Sequence, residues 1–244
     1  MGTKTYFFFC LFLLSLFTVC AQSWRTSPWE VQLGAGPANY FGDIGGAAGE
    51  DNWYGLKDFE PLRSRLTGAG VLRYNRNRYL SFSGSLALGW LSGSDEGSRN
   101  EARGYVFNTL FLEPSGRVEF YPVRDLLKFR GLDRRGLVRN YSTVSVYLFG
   151  GAGAVIYSVM PNDKLRARRE SDNIEHGPVT VVLPAGAGVR IGIQNTVDIG
   201  LEIGGRYAFN DYLDGFTSPT STANDIYYIT TVNVVYRFEE LFYR

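Results

Sequence analysis

The stretch Thr196-Val197-Asp198-Ile199-Gly200-Leu201-Glu202-Ile203-Gly204-Gly205-Arg206-Tyr207-Ala208-Phe209-Asn210 alternates apolar and polar residues with period two. Successive side chains of an extended chain point to opposite faces. Val197, Ile199, Leu201, Ile203, Tyr207 and Phe209 therefore share one side, and Asp198, Gly200, Glu202, Gly204, Arg206 and Asn210 the other. An amphipathic helix would repeat its apolar residues at i, i+3 and i+4, a spacing this run lacks. It reads as a strand with one greasy and one charged face.

The pattern recurs on both sides of that run. Residues 226–238 set Ile226, Tyr228, Val232, Val234, Tyr236 and Phe238 against Thr231, Asn233 and Arg237. Residues 180–194 set Val181, Leu183, Val189, Ile191 and Ile193 against Gly186, Gly188, Arg190 and Gln194. Residues 29–41, 67–75, 79–91, 105–121 and 143–157 alternate likewise, which brings the expectation to eight strands. Most reach the roughly 9 to 11 residues that a tilted strand needs to cross a bilayer. The connections alternate too, with tight turns at 75–78 and 194–195 and long polar stretches at 42–66, 92–104, 158–179 and 211–224. Connection 122–142 breaks this alternation. A short turn is expected there, yet the segment is long and carries Arg124, Lys128, Arg130, Arg134, Arg135 and Arg139.

Composition agrees with a sheet-rich exported chain. Of 244 residues, 45% are hydrophobic and 29 are Gly, and Lys+Arg 25 against Asp+Glu 24 leaves a net charge of +1, which excludes a disordered tail and a basic nucleic-acid binder. Lys4 followed by the apolar run Tyr6–Phe17 and by Val19-Cys20-Ala21 reads as a cleaved export signal over 1–21, too short for a spanning helix. A lipoprotein reading would acylate Cys20, but Val19 stands where a small residue is needed. Residues 22–244 then form one barrel domain without cysteine, since Cys10 and Cys20 both precede it.

A charge facing the bilayer midplane costs about 2–4 kcal/mol, so the charged faces should look inward. The inward set is balanced: Glu30, Glu113, Glu119, Asp198 and Glu202 against Arg73, Arg117, Arg190, Arg206 and Arg237. In so narrow a barrel this set reads as a salt-bridged plug and not as an ion pathway. Trp29, Phe41, Tyr74, Tyr79, Trp90, Tyr157, Phe209, Tyr228 and Phe238 lie at strand ends, where they would form two interfacial girdles. Two alternatives stand beside this reading. A soluble lipocalin-like barrel would put the apolar face inside. The uncharged stretch 142–161 would pass as a spanning helix, although Gly150, Gly151 and Gly153 and the alternation of Val144, Val146 and Leu148 favour a strand.

Catalytic chemistry is sparse. His176, the single histidine, sits in a long connection with no nearby nucleophile, so no triad is visible. Gly150-Gly151-Ala152-Gly153 and Gly186-Ala187-Gly188 lack the lysine and strand-to-helix setting of a phosphate loop. Asp211, Asp214 and Asp225 with Asn210 and Asn224 match no calcium-loop template and read as turn caps. Lys164, Arg166, Arg168 and Arg169 form a basic cluster that would meet lipid phosphates or stay hydrated. The expectation is a non-enzymatic chain with no catalytic residue, cofactor or metal.

Several short elements carry a resemblance. Glu30-Val31-Gln32-Leu33-Gly34-Ala35-Gly36 leads to Asn39-Tyr40-Phe41-Gly42-Asp43-Ile44-Gly45-Gly46, followed by Gly55-Leu56-Lys57-Asp58, Leu72-Arg73-Tyr74-Asn75, Leu91-Ser92-Gly93-Ser94-Asp95 and Asn210-Asp211-Tyr212-Leu213-Asp214. In this order they resemble the PorG-like outer-membrane barrels of Bacteroidetes, with Tyr40, Gly42, Asp43, Asp211, Tyr212 and Asp214 as the motif residues. The resemblance implies an eight-stranded outer-membrane barrel of the type IX secretion apparatus, embedded in outer-membrane lipid and docked on a periplasmic ring of a lipoprotein and its soluble partner. Terminal aromatics usually close such barrels, whereas here Phe238 is followed by Glu239-Glu240-Leu241-Phe242-Tyr243-Arg244. The expected function is to anchor or align that ring, with the basic 122–142 connection as its docking surface. The alternative is a barrel whose long loops bind an external ligand.

Overall fold

The computed structural model describes residues 28–41, 44, 64–96, 101–124, 129–132, 138–171, 177–193, 196–210, 212–216 and 224–238, with the backbone alone for 129–132, 138–142 and 171. The expected export signal over 1–21, Gly42, Asp43, Lys128, Arg134, Arg135, His176 and Asp211 lie outside the described residues.

Nine strands follow in chain order: β1 (Trp29–Phe41), β2 (Arg65–Asn75), β3 (Leu80–Ser94), β4 (Val106–Val123), β5 (Phe129–Leu132), β6 (Val138–Pro161), β7 (Val179–Gly192), β8 (Val197–Ala208) and β9 (Ile226–Arg237). Among the described residues one helix, α1 (Asp163–Ser171), and a short 3-10 turn at Glu101–Arg103 lie in the connections. All pairings are antiparallel. β1 bonds both β2 and β9, with Glu30 opposite Arg73 on one side and Arg237 on the other. β4 bypasses β5 to bond β6, placing Phe111 opposite Tyr157. Eight strands therefore close into a barrel, and β5 is an addition bonded to the first residues of β6. Closure leaves no edge in the barrel wall, which is the condition for a sheet to sit in hydrocarbon.

The two faces of each strand differ as the alternation requires. Leu33 is 65% exposed, Leu201 53% and Val232 62%, while their neighbours Glu202, Asn233 and Gln32 are buried in the bore. A soluble barrel would show the reverse, so the lipocalin-like alternative is corrected. Stretch 142–161 is strand, and no helix among the described residues is long and apolar enough to cross a membrane. Tyr157 departs from the expected girdle. It shares the parity of Tyr147, Phe149 and Val155 and points into the bore, with Ile156 exposed instead.

The sheet is tight enough to require glycine at particular points. A methyl on Gly186 would lie 2.2 Å from the carbonyl oxygen of Ile203 and 2.6 Å from the Cα of Gly204 on the next strand. Gly215 (φ 78°) turns the chain in the left-handed region, where other residues are strained. Four connections, 42–64, 95–105, 162–178 and 209–225, join strands at one end of the barrel, called here the loop end. Those at 76–79, 124–137 and 193–196 join them at the other, the turn end.

Candidate functional site

The bore is filled in two tiers. At the turn end, Glu30 is the hub because β1 lies between two strands that each deliver an arginine opposite it. Its carboxylate receives Arg190 Nη1 at 2.7 Å and Arg73 Nη1 at 3.2 Å, with Arg237 Nε at 3.6 Å and Arg124 Nη2 at 3.7 Å. Asn75 Nδ2 adds a bond of 2.9 Å. Arg73 also donates from Nε to Glu119 at 2.5 Å and from Nη2 to Gln32 at 2.9 Å. Glu119 accepts further bonds from Ser83 Oγ and the Tyr121 hydroxyl.

The network continues around the wall. Asp198 binds Arg190 at 3.1 Å and Arg237 at 2.6 Å. Glu202 takes Arg117 Nη1 at 2.8 Å and the Tyr147 hydroxyl at 2.6 Å. Higher in the bore, Glu113 accepts the Tyr227 hydroxyl at 2.7 Å and faces Arg206 Nε at 3.4 Å. Each charge of this network thus has an opposite charge and hydrogen bonds, the condition under which its burial is affordable. All ten inward residues named from the sequence lie in this network, and Gln32, Tyr121 and Tyr147 join them. The parity of Tyr121 with Arg117 and Glu119 on β4 marks it as inward, a signal that was available in the sequence.

Arg124 changes place. Expected on the docking surface, it is buried in the bore beneath the turn end, with its guanidinium 4.3 Å from the centre of the Tyr121 ring and Nη2 bonded to Asn75 Oδ1 at 2.7 Å. It follows the last residue of β4, just past a register shift between Phe120 and Val123 in the ladder to β6, and that slip turns an even-numbered residue inward where Glu119 and Tyr121 had set odd parity. Arg130 and Arg139 lie in β5 and β6, beyond the last residues that bond β4 and β7.

At the loop end the bore is apolar. Leu91, Phe107, Phe111, Val155, Val182 and Tyr227 form its core. Residues 212–216 fold down into the mouth, where Leu213 is fully buried and Phe216 packs beside Tyr105 with ring centres 5.4 Å apart. Asp225 holds this plug: it accepts Leu213 N at 2.8 Å and the Tyr40 hydroxyl. Thr109 Oγ1 donates to Leu213 O at 2.6 Å from the opposite wall. Asp214 accepts Phe216 N at 2.9 Å, closing the turn. Tyr40 and Asp214 of the motif set are thereby brought together at the plug, and Tyr212 is its first residue. Leu165 of α1 enters the same core, while Lys164, Arg166 and Arg168 stay exposed. Asn162 caps α1 through Leu165 N at 3.0 Å and ties it to Gly104 O at 2.9 Å.

The two ends carry opposite charge. The connections 76–79, 125–142 and 193–196 hold seven basic and two acidic residues, and the four loop-end connections hold eight basic and fifteen acidic. Arg124 brings the bore to six arginines against five carboxylates, so the polarity along the barrel axis lies in the connections.

The chain belongs to the DUF6089 family. The family model, described as a domain of unknown function, matches residues 4–240. A search among curated proteins gives no match. Among solved structures, this DUF6089 chain is similar to Ail, the attachment invasion locus protein of Yersinia pestis, solved with the heparin analogue sucrose octasulfate, at 11% identity and TM-score 0.41 over 88% of this chain and 100% of that one. It is similar to the N-terminal β-barrel domain of Pseudomonas aeruginosa OprF at 8% identity and TM-score 0.41, again over 88% and 100%. Neisserial surface protein A gives 13% identity and TM-score 0.43 over 87% and 98%. These are likenesses of layout; the fold itself rests on the strand pairing above.

Proposed function

We propose that this protein is a non-enzymatic outer-membrane barrel that anchors or aligns the periplasmic ring of a type IX secretion apparatus, docking through its turn end. The single observation that carries this reading is the basic 125–142 connection, extended by β5 and β6, at the end of a barrel that needs only a turn there. The membrane setting is supported by the exposed apolar belt, which would be costly in water and is at home against lipid chains. Short turns face the periplasm in such barrels, which would put the positive end there. A bore filled by ion pairs below and rings above argues for a scaffold and against a conduit. The PorG-like motif residues Tyr40, Gly42, Asp43, Asp211, Tyr212 and Asp214 supply the link to secretion. Replacing Arg130, Arg134, Arg135 and Arg139 with Ser and pulling down ring components tests the reading. Loss of co-purification with an intact barrel is expected, and undiminished co-purification would defeat it.

A second reading places function at the loop end, favoured by the built cap of α1 and residues 212–216. The acidic excess of the loop-end connections argues against a polyanionic ligand there. Under this reading, deletions within 45–63 abolish function while the arginine replacements are silent.

A further inference from the structure

β6 runs for 24 residues, yet its pairing with β7 begins at Thr143 and its pairing with β4 reaches only Val146. Its first residues, Val138–Ser142, therefore project about 16 Å past the barrel wall, at roughly 3.3 Å per residue. They bond β5 alone, with Arg130 opposite Tyr141 and Gly131 opposite Asn140. β5 lies on the β4 side of β6, so the β7 side of residues 138–142 has no strand partner among the described residues, and neither has the far side of β5. An isolated two-stranded ribbon is marginal in water, and its open edges are templates for another strand.

Charge selects the occupant. Arg130 and Arg139 stand on the ribbon itself, and the connections at this end carry seven basic residues against two acidic. Two copies of such an edge repel each other, whereas an acidic extended segment is attracted and its backbone completes the ladder. We infer that the ribbon of β5 and residues 138–142 is a strand-addition site that receives an extended acidic segment of a periplasmic protein on the open edge of β6. This rests on the turn-end docking reading and specifies how the docking is made.

The full-length barrel, folded in detergent micelles, is titrated with an acetylated peptide of alternating Glu and Val, labelled for fluorescence anisotropy, and with its Lys–Val counterpart. Hydrogen exchange is read at the amides of residues 138–142. The Glu–Val peptide is expected to bind at least tenfold more tightly than the Lys–Val peptide and to slow exchange at alternate amides of that segment at least tenfold. The double variant Arg130→Glu/Arg139→Glu should reverse the preference, a gain of binding that misfolding would not produce. Single Arg139→Pro and Asn140→Pro variants should differ, since only one of them removes a donor from the open edge. Equal binding of both peptides, or tight acidic binding without slowed exchange at 138–142, would overturn strand addition. In the latter case the arginine-to-serine pull-down still decides the docking reading separately.

Discussion

Near the turn end the bore is filled by arginines and carboxylates around Glu30, whereas near the loop end rings and aliphatic side chains around Phe111 fill it. The two fillings fail differently. A buried ion network is stable only when complete, because removing one member strands its partners in a low dielectric. An apolar plug loses contacts in proportion to what is removed, and its neighbours relax into part of the gap. The lower tier therefore acts as a rigid floor that fixes strand register, and the upper tier as packing with a polar latch.

Substitutions should separate the tiers in order of effect. The largest loss is expected for Glu30→Ala, which leaves Arg73, Arg190 and Arg237 without their shared carboxylate and should cost about 3–5 kcal/mol, read as the urea midpoint for unfolding from lipid vesicles. Phe111→Ala in the upper tier should cost about 3 kcal/mol by the same assay. If the two losses came in the opposite order, the contrast between the tiers would be wrong.

Tyr40→Phe deletes only the hydroxyl that donates to Asp225 and should cost about 1–2 kcal/mol, with faster amide exchange at Leu213 and unchanged exchange at Arg190. Acceleration at both amides would show that the tiers are coupled. The smallest effect is expected for Arg166→Ser with Arg168→Ser on the exposed face of α1, under about 0.5 kcal/mol. A larger loss would show that the exposed face of α1, and not Leu165 alone, holds the cap in place.

Most of the barrel could be read from period-two alternation, because one residue of a strand fixes the face of every other. Alternation places Glu30, Arg73, Glu119, Arg190 and Glu202 on one surface without any knowledge of their partners. It missed the upper tier because Phe107, Phe111 and Tyr227 are as greasy as the residues that meet lipid, and hydropathy cannot separate them. Parity could have done so: Phe111 shares the parity of Glu113 and Arg117, as Tyr157 shares that of Tyr147. The plug was hidden for a different reason. Leu213 and Phe216 lie in a polar connection, and only the tertiary latch from Asp225 and Thr109 brings them inside. Arg124 escapes the sequence because strict alternation does not show the register shift between Phe120 and Val123 that turns it inward.

The account stands on the outward faces of β3, β8 and β9 meeting hydrocarbon. Residues 22–244 contain no cysteine, so Leu86→Cys, Leu201→Cys and Val234→Cys can each carry a single nitroxide spin label on the barrel folded in lipid vesicles. Relaxation by dissolved oxygen, which concentrates in the bilayer, should exceed relaxation by a water-soluble nickel chelate at all three positions. Ready access of the nickel chelate to all three labels would contradict the membrane barrel and everything argued from it.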